Sequence, residues 1–291
     1  MKLLTKFNLV LILFFGFSGF IISHLAYLFL TRNARDQVLQ QAELMMASAK
    51  STRDYTSEQV KPLLLQHPEH ETRFLPQTVP AFAATSLFNS MRKSYPDYSY
   101  REATLNPTNL IDRADDWEAD IVRYFADHAN EKKIVGVRET PTGRYLYLAK
   151  PMIATQSCLE CHSTPDVAPA AMVKLYGAQN GFGWKLNQVI AAQIVAVPMA
   201  VPIQVADNAY RSLILFLVTT FVVIIIALDT ALYLIVIRPL HIVSSAADRI
   251  SKGDTDIPDL QVKGKDEIAD VTASFNRMRV SLQKALRMLE Q

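Results

Sequence analysis

LILFLVTTFVVIIIALDTALYLIVI, residues 213–237, followed at once by Arg238-Pro239-Leu240, decides how this chain is laid out. Only Thr219, Thr220, Asp229, Thr230 and Tyr233 interrupt the apolar run, and it exceeds the roughly 20 residues a helix needs to cross hydrocarbon. Working outward from it, Phe7 to Leu30 is a second such run, broken only by small residues, Asn8 and His24. That run is too long for a signal-peptide core and no small-x-small cleavage site follows, so residues 1–31 read as an uncleaved signal-anchor helix. Two transmembrane helices, 1–31 and 213–237, therefore enclose residues 32–212, and residues 238–291 follow the second.

The enclosed segment holds both cysteines of the chain in one string, Cys158-Leu159-Glu160-Cys161-His162. Two thiols flanking two residues form thioethers to the two vinyl groups of a haem, and the next histidine is held as an axial ligand to the iron. With no other cysteine, neither a four-thiolate zinc site nor an iron–sulfur cluster can be built. A CxxC dithiol or a local disulfide is the other chemistry two such thiols support, and coincidence the third reading. A dithiol has no use for the histidine, and the string precedes a Pro-rich loop instead of opening a βαβ unit. The expectation is haem c, covalent, one per chain.

Charge near the first span is balanced: Lys2 and Lys6 on one side, Arg32 and Arg35 on the other. Beyond the second span, Arg238, Arg249, Lys252, Lys263 and Lys265 mark a cytoplasmic side. Covalent haem attachment in bacteria is completed outside the cytoplasm, which agrees. The expected location is the bacterial inner membrane, with residues 32–212 periplasmic and both termini cytoplasmic.

After the second span, Pro239 stands at the start of a helix that runs to about Lys252, with Leu240, Val243, Ala247 and Ile250 at 3–4 spacing. Gly253 ends it. A connector, Asp254 to Lys265, carries isolated apolar residues Ile257, Leu260 and Val262. Asp266-Glu267 then opens a second helix in which Ile268, Val271, Phe275, Met278, Leu282, Ala285 and Leu289 keep a coiled-coil repeat. Together with Ser274-Phe275-Asn276-Arg277-Met278, residues 238–291 resemble a HAMP signal-relay domain, helix–connector–helix. That resemblance implies a homodimer through HAMP and transmembrane helices, with a bundle that re-packs between discrete states. The heptad pattern is still running at Gln291, so the output is expected on a separate cytoplasmic signalling protein or on a further segment.

Within the periplasmic segment the pattern is α then α/β. Asn33 to about Leu65 is helical and continues the first span, with Leu39, Ala42, Met46 and Ala49 on one face and Val38 and Met45 one step round. Pro62, Pro68, Pro76 and Pro80 break the chain into turns. Ala81 to Ser90 reads as a short helix, Ala114 to His128 as another. Strands are expected at Tyr98–Thr104, Ile134–Glu139, Arg144–Pro151 and Val189–Pro198, with a hairpin turn at Thr142-Gly143. The fold class is α+β: a PAS-like domain with a long N-terminal helix and a small antiparallel sheet.

Several stretches carry a resemblance: Arg53-Asp54-Tyr55-Thr56, Thr78-Val79-Pro80-Ala81-Phe82-Ala83-Ala84, Tyr98 through Asn109, the Cys158–His162 string, Tyr176-Gly177, and Gly181-Phe182-Gly183-Trp184. They are similar to a family of periplasmic c-type haem PAS-like sensor domains, long labelled a domain of unknown function. The resemblance implies fold and haem and says little about the signal.

For the other axial position on iron the candidates are Met46 or Met45, Met152, or no protein ligand, which leaves the iron open to nitric oxide, carbon monoxide or oxygen. Core packing accounts for a methionine on an apolar helix face equally well. His67, His70 and His128 read as surface histidines. Arg53 suits either a haem propionate or an ordinary salt bridge. Tyr55, Phe82, Tyr176 and Trp184 are candidates for the haem wall or for a small aromatic core. Asp229 in mid-membrane needs a partner, across a dimer axis or near the cytoplasmic face.

A net charge of +2, with no basic patch interleaved with aromatics, excludes nucleic acid as a partner. Three functions fit: a membrane receptor sensing redox state or a diatomic gas and relaying it through HAMP, a membrane-anchored monohaem electron carrier, or an enzyme acting at the haem. The electron carrier leaves the HAMP without a purpose. No acid–base constellation near the motif supports an enzyme.

Overall fold

Side chains that alternate along four strands bury one sheet from both faces, and that sheet organises residues 27–209. The computed structural model describes residues 3–254, 256–261 and 264–289; Lys2, Val262, Lys263 and the side chain of Leu289 lie outside the described set. In chain order the helices are α1 (Leu3–Tyr55), α2 (Lys61–Leu65), α3 (Glu69–Thr72), α4 (Pro80–Met91), α5 (Asp116–Asp127), α6 (Gln156–His162), α7 (Ala170–Tyr176), α8 (Ala200–Leu232), α9 (Arg238–Ser251) and α10 (Glu267–Leu289). The strands are β1 (Ser99–Thr104), β2 (Ile134–Thr140), β3 (Gly143–Ile153) and β4 (Val189–Pro198), all antiparallel in the order β1-β4-β3-β2. All four expected strands form, each within two residues of its expected ends. α6 and α7 were not anticipated, because each is only seven residues long and shows too little periodicity to read.

Period-two alternation divides the core. On one face Leu146, Leu148, Val195, Val197 and Tyr100 meet Val38, Ala42, Met45, Met46 and Ala49 of α1, and Ala84 and Phe88 of α4. On the other, Ala103, Ala149, Ala192 and Ile194 meet Ile121, Val122 and Phe125 of α5. Glu118 starts α5 by accepting the Asp115 N–H at 2.9 Å and pairs with Arg101 at 3.0 Å.

Two prolines leave the same mark. Pro62 and Pro239 lack an N–H, and each ring crowds the carbonyl four residues back. In both places a five-residue π-helical turn immediately precedes the new helix, Thr56–Val60 before α2 and Tyr233–Ile237 before α9. Pro62 was expected to break the chain; the helix instead widens and continues.

The second compact unit contains the N-terminal part of α1 and the chain from Tyr210 onward. Its two apolar helices are long enough to cross a membrane. They touch through Phe15 and Phe221, whose rings lie 5.4 Å apart, through Ser23 and Tyr210 hydroxyls at 2.7 Å, and through Asn8 Nδ2, which donates to Asp229 Oδ2 at 2.9 Å. Asp229 thus finds its partner within its own chain. In the relay segment Phe275 packs with Ala246 and Ile257, and Asn276 clamps both the N–H and the carbonyl of Leu260. Of the predicted seam, Phe275 turns into this core while Val271, Met278 and Leu282 stay exposed.

Candidate haem site

The helix that carries the motif starts at Thr155, whose N–H meets Cys158 Sγ at 3.4 Å and whose hydroxyl lies 3.2 Å from the same sulfur. Sulfur stands where a capping box has a Glu. Three-residue spacing on a helix puts Cys158 and Cys161 on one side of it. Both thiols are free and half-buried.

His162 closes α6. Its Nδ1 lies 2.7 Å from the Gly181 carbonyl and 3.3 Å from Thr108 Oγ1. A carbonyl only accepts, so the proton sits on Nδ1 and Nε2 keeps its lone pair. Burial holds the imidazole below its usual pKa, partly offset by the Gly181 bond, so the ring is neutral. Trp184 stacks on it at 3.9 Å between centroids and 17° between planes. Backbone bonds tie the same loop to the motif: Gly183 N to Ser163 O at 2.9 Å and Trp184 N to His162 O at 3.2 Å.

Gly181 cannot be exchanged without disturbing this. Its φ is +80°, and a Cβ would lie 2.8 Å from the Thr108 backbone. Asn106 holds the turn from the other side, accepting the Gly181 N–H at 3.0 Å and donating to Phe182 O at 3.2 Å. The hydrogen bond that orients the His162 imidazole is therefore built by the segment after β1 and the glycine loop together.

Cys161 sits on an apolar cup. Phe74, Ala168 and Met172 are buried, while Val79, Ala171, Val173, Tyr176 and Phe182 are only partly covered. Phe74 and Tyr176 meet edge-to-face at 5.8 Å. Burial pushes the Cys161 thiol up, and Lys61, which pairs with Glu160 at 3.4 Å, draws it back down. An apolar surface left half-open beside two thiols and a neutral imidazole suits a large flat apolar group. Among the described residues no three His, Cys, Asp or Glu side chains gather to hold a bare metal ion. Cys158, Cys161 and His162, with the half-open cup beside them, fit an iron that brings its own four nitrogens, and they are the residues that would hold it.

Of the other expected site residues, Tyr176 joins the cup. Trp184 stacks on His162, and Met152 packs in the same cluster as Trp184, whereas Arg53, Tyr55, Met45 and Met46 lie elsewhere. Arg53 pairs with Glu102, itself buried and accepting the Tyr100 hydroxyl at 2.6 Å, so its guanidinium is committed to the protein and not to a propionate. Tyr55 is 62% exposed on the helix surface. Met45 and Met46 fill the core between α1 and the sheet, in a cluster separate from that of Cys161. An apolar stripe on a helix beside a sheet seeks the sheet first, and that packing accounts for both sulfurs. Thr108, Asn106, Thr155 and Phe74 were missed as site residues. Nothing local marks them: each matters through a partner 3 to 87 positions away in sequence.

Residues 31–198 match the family model Tll0287-like, and residues 231–284 match the HAMP domain. A solved chain titled "Crystal structure of the cyanobacterial heme-protein Tll0287" is similar at 10% identity and a TM-score of 0.43, covering 55% of this chain and 94% of that one. No curated protein matches the chain. The first match spans more than half of the 291 residues and contains both thiols, the imidazole, its loop and the whole apolar cup: the chain belongs to the Tll0287-like family.

Proposed function

We propose that this protein is a membrane receptor that senses redox state or a diatomic gas through one covalent haem c and relays the change through its HAMP domain. A domain of a haem-protein family joined by an apolar helix to a HAMP domain is the arrangement of a membrane sensor. The finer reading rests on one observation, the His162 imidazole with its Nδ1 bound to the Gly181 carbonyl, which makes Nε2 the nitrogen that carries the lone pair. Cys158 and Cys161 would hold the macrocycle through two thioethers, the S–H of each being formally added across a vinyl group with no external oxidant. When bound, haem supplies an iron that changes charge or takes a small ligand. Thr108, Gly181 and Trp184 orient the imidazole, and the apolar cup would exclude water from the face of a bound haem.

β4 starts beside the site, with Ile190 and Ala191 in the cluster that includes Trp184, and ends two residues before α8. One strand thus connects the cup to the second apolar helix in sequence. The haem domain would lie in the periplasm, the HAMP in the cytoplasm, and two copies would pair through HAMP and transmembrane helices to act on a separate cytoplasmic protein. Val271, Met278 and Leu282 of the predicted seam are exposed and available for that pairing, as are Ile242, Val280, Leu286 and Met288. We read the protein as a sensor and not an enzyme.

The test is the absorption spectrum of the full-length protein made with a haem-attachment system, reduced with and without carbon monoxide. A c-type spectrum that shifts with the gas supports ligand sensing. One that ignores it supports redox sensing, or the alternative of an anchored electron carrier. Absence of attached haem overturns the proposal.

A further inference from the structure

α5 covers only part of its sheet face. Its apolar side chains lie over Ala103, Ala149, Ala192 and Ile194. Towards the other end of the strands the same face is only half-buried at Ser99, Arg101, Tyr145, Tyr147 and Ala196, and they line a cavity of about 380 Å³ together with Trp117 and Arg138. That volume falls in the range of small-ligand pockets. The strand register places it at the opposite end of the sheet from the haem cup: Ala196 pairs with Ser99 at the cavity, whereas Ala191 pairs with Thr104 near the cup.

Its charges are unequal in freedom. Arg101 is spent on Glu118 at 3.0 Å and on the Arg113 carbonyl at 2.9 Å. Arg138 lies over the Trp117 ring at 4.4 Å with its charge also acting on Glu118, and Arg92 stands on the rim, where Asp97 and Asp115 share the lining; among the described residues neither arginine forms a close salt bridge. A guanidinium stacked on an indole is held flat with its N–H edge unused, the geometry that receives a carboxylate. Gly136 contributes by absence, because a Cβ there would run into the Tyr147 ring that floors the cavity. Asp97, also on the rim, would suit an amine on the same ligand.

We propose that this cavity is a second ligand site, independent of the haem, and that it takes a small carboxylate held by Arg138 and Arg92 against Trp117 and the two tyrosines. It opens beside the end of β4 that leads to α8, so occupancy there would reach the same helix as the haem.

The experiment is calorimetric titration of the full-length haem-loaded protein in detergent with malate, citrate, aspartate, glutamate and inorganic phosphate. At least one carboxylate should bind, and Arg138→Ala or Arg92→Ala should each weaken it about tenfold or more while the haem spectrum stays unchanged. Arg138→Lys, which keeps the charge and loses the fork, should recover only part of the affinity. Tighter binding of aspartate than malate would assign Asp97 to an amine; the reverse would confine recognition to the carboxylate. The proposal is overturned if no carboxylate gives heat, if phosphate alone binds, or if the arginine variants bind as well as the unaltered protein.

Discussion

Two apolar clusters in the same domain are built on different terms. The core between α1, α4 and the sheet is closed: Val38, Ala42, Ala49, Ala84, Leu146, Leu148, Val195 and Val197 have essentially no exposed surface. The cup around Cys161 buries only Phe74, Ala168 and Met172 and leaves the rest half-open. The closed core gathers residues from Val38 to Met199 and needs nothing more. The cup is assembled mostly from Phe74, Val79 and one stretch of loop and short helix, and its order comes from backbone bonds to Gly181, Gly183 and Trp184. Closed packing gives stability without chemistry, whereas an open cluster beside reactive groups is where a cofactor would complete the fold.

The contrast breaks most readily at the thiols. Replacing Cys158 and Cys161 together with Ala should remove all haem that survives acid–acetone extraction while leaving the sheet intact by circular dichroism; persistent attached haem would refute the assignment of those sulfurs. His162→Ala should leave haem attached but abolish the normal ligation and the output, and an unchanged output would sink the sensor reading.

Next come substitutions that should separate packing from ligation. Phe88→Ala and Met46→Ala each open a cavity in the closed core and should cost about 2–5 kcal/mol in denaturant unfolding, with no shift of the haem bands. A spectral change in Met46→Ala would return that sulfur to the iron. Gly181→Ala should act the other way, with a smaller loss of stability but a perturbed haem spectrum, because the strain falls on the carbonyl that orients His162.

The smallest effect concerns Asp112, which neighbours the cup through Tyr176. Burial, then the charge of Glu102, raises its carboxyl to about 6, with Arg101 opposing. The folded state therefore holds this proton more tightly than the unfolded chain, so its contribution favours folding at low pH and is lost as pH rises from about 4 through 6. The difference in melting temperature between Asp112→Asn and the unaltered protein should widen over that window, the Asn variant gaining relative stability as pH rises. A difference that stays constant would refute the shift.

Much of this architecture was legible because its signals are local or periodic. Apolar runs longer than 20 residues give two helices long enough to cross a membrane, period-two alternation gives β1 to β4, and a five-residue string marks the site proposed for the cofactor. Gly181 could be singled out as a turn. Its real constraint, the approach of Thr108, joins positions 73 apart and has no trace in either neighbourhood. Arg53 shows the same limit: its residue type suits a propionate and a salt bridge alike, and only the fold brings it to the carboxylate of Glu102, 49 positions along the chain.

The amino-acid string by itself determined the two long apolar helices, the strands, the thiol pair and the histidine, since each follows from composition or spacing within a single turn, strand or span. Tertiary structure decided which nitrogen of His162 carries the lone pair, which methionines are core, which arginines are committed and where a half-buried sheet face leaves a cavity. Those outcomes depend on which distant side chain arrives first with a better hydrogen bond or a better fit, and that competition is settled only when the chain has folded.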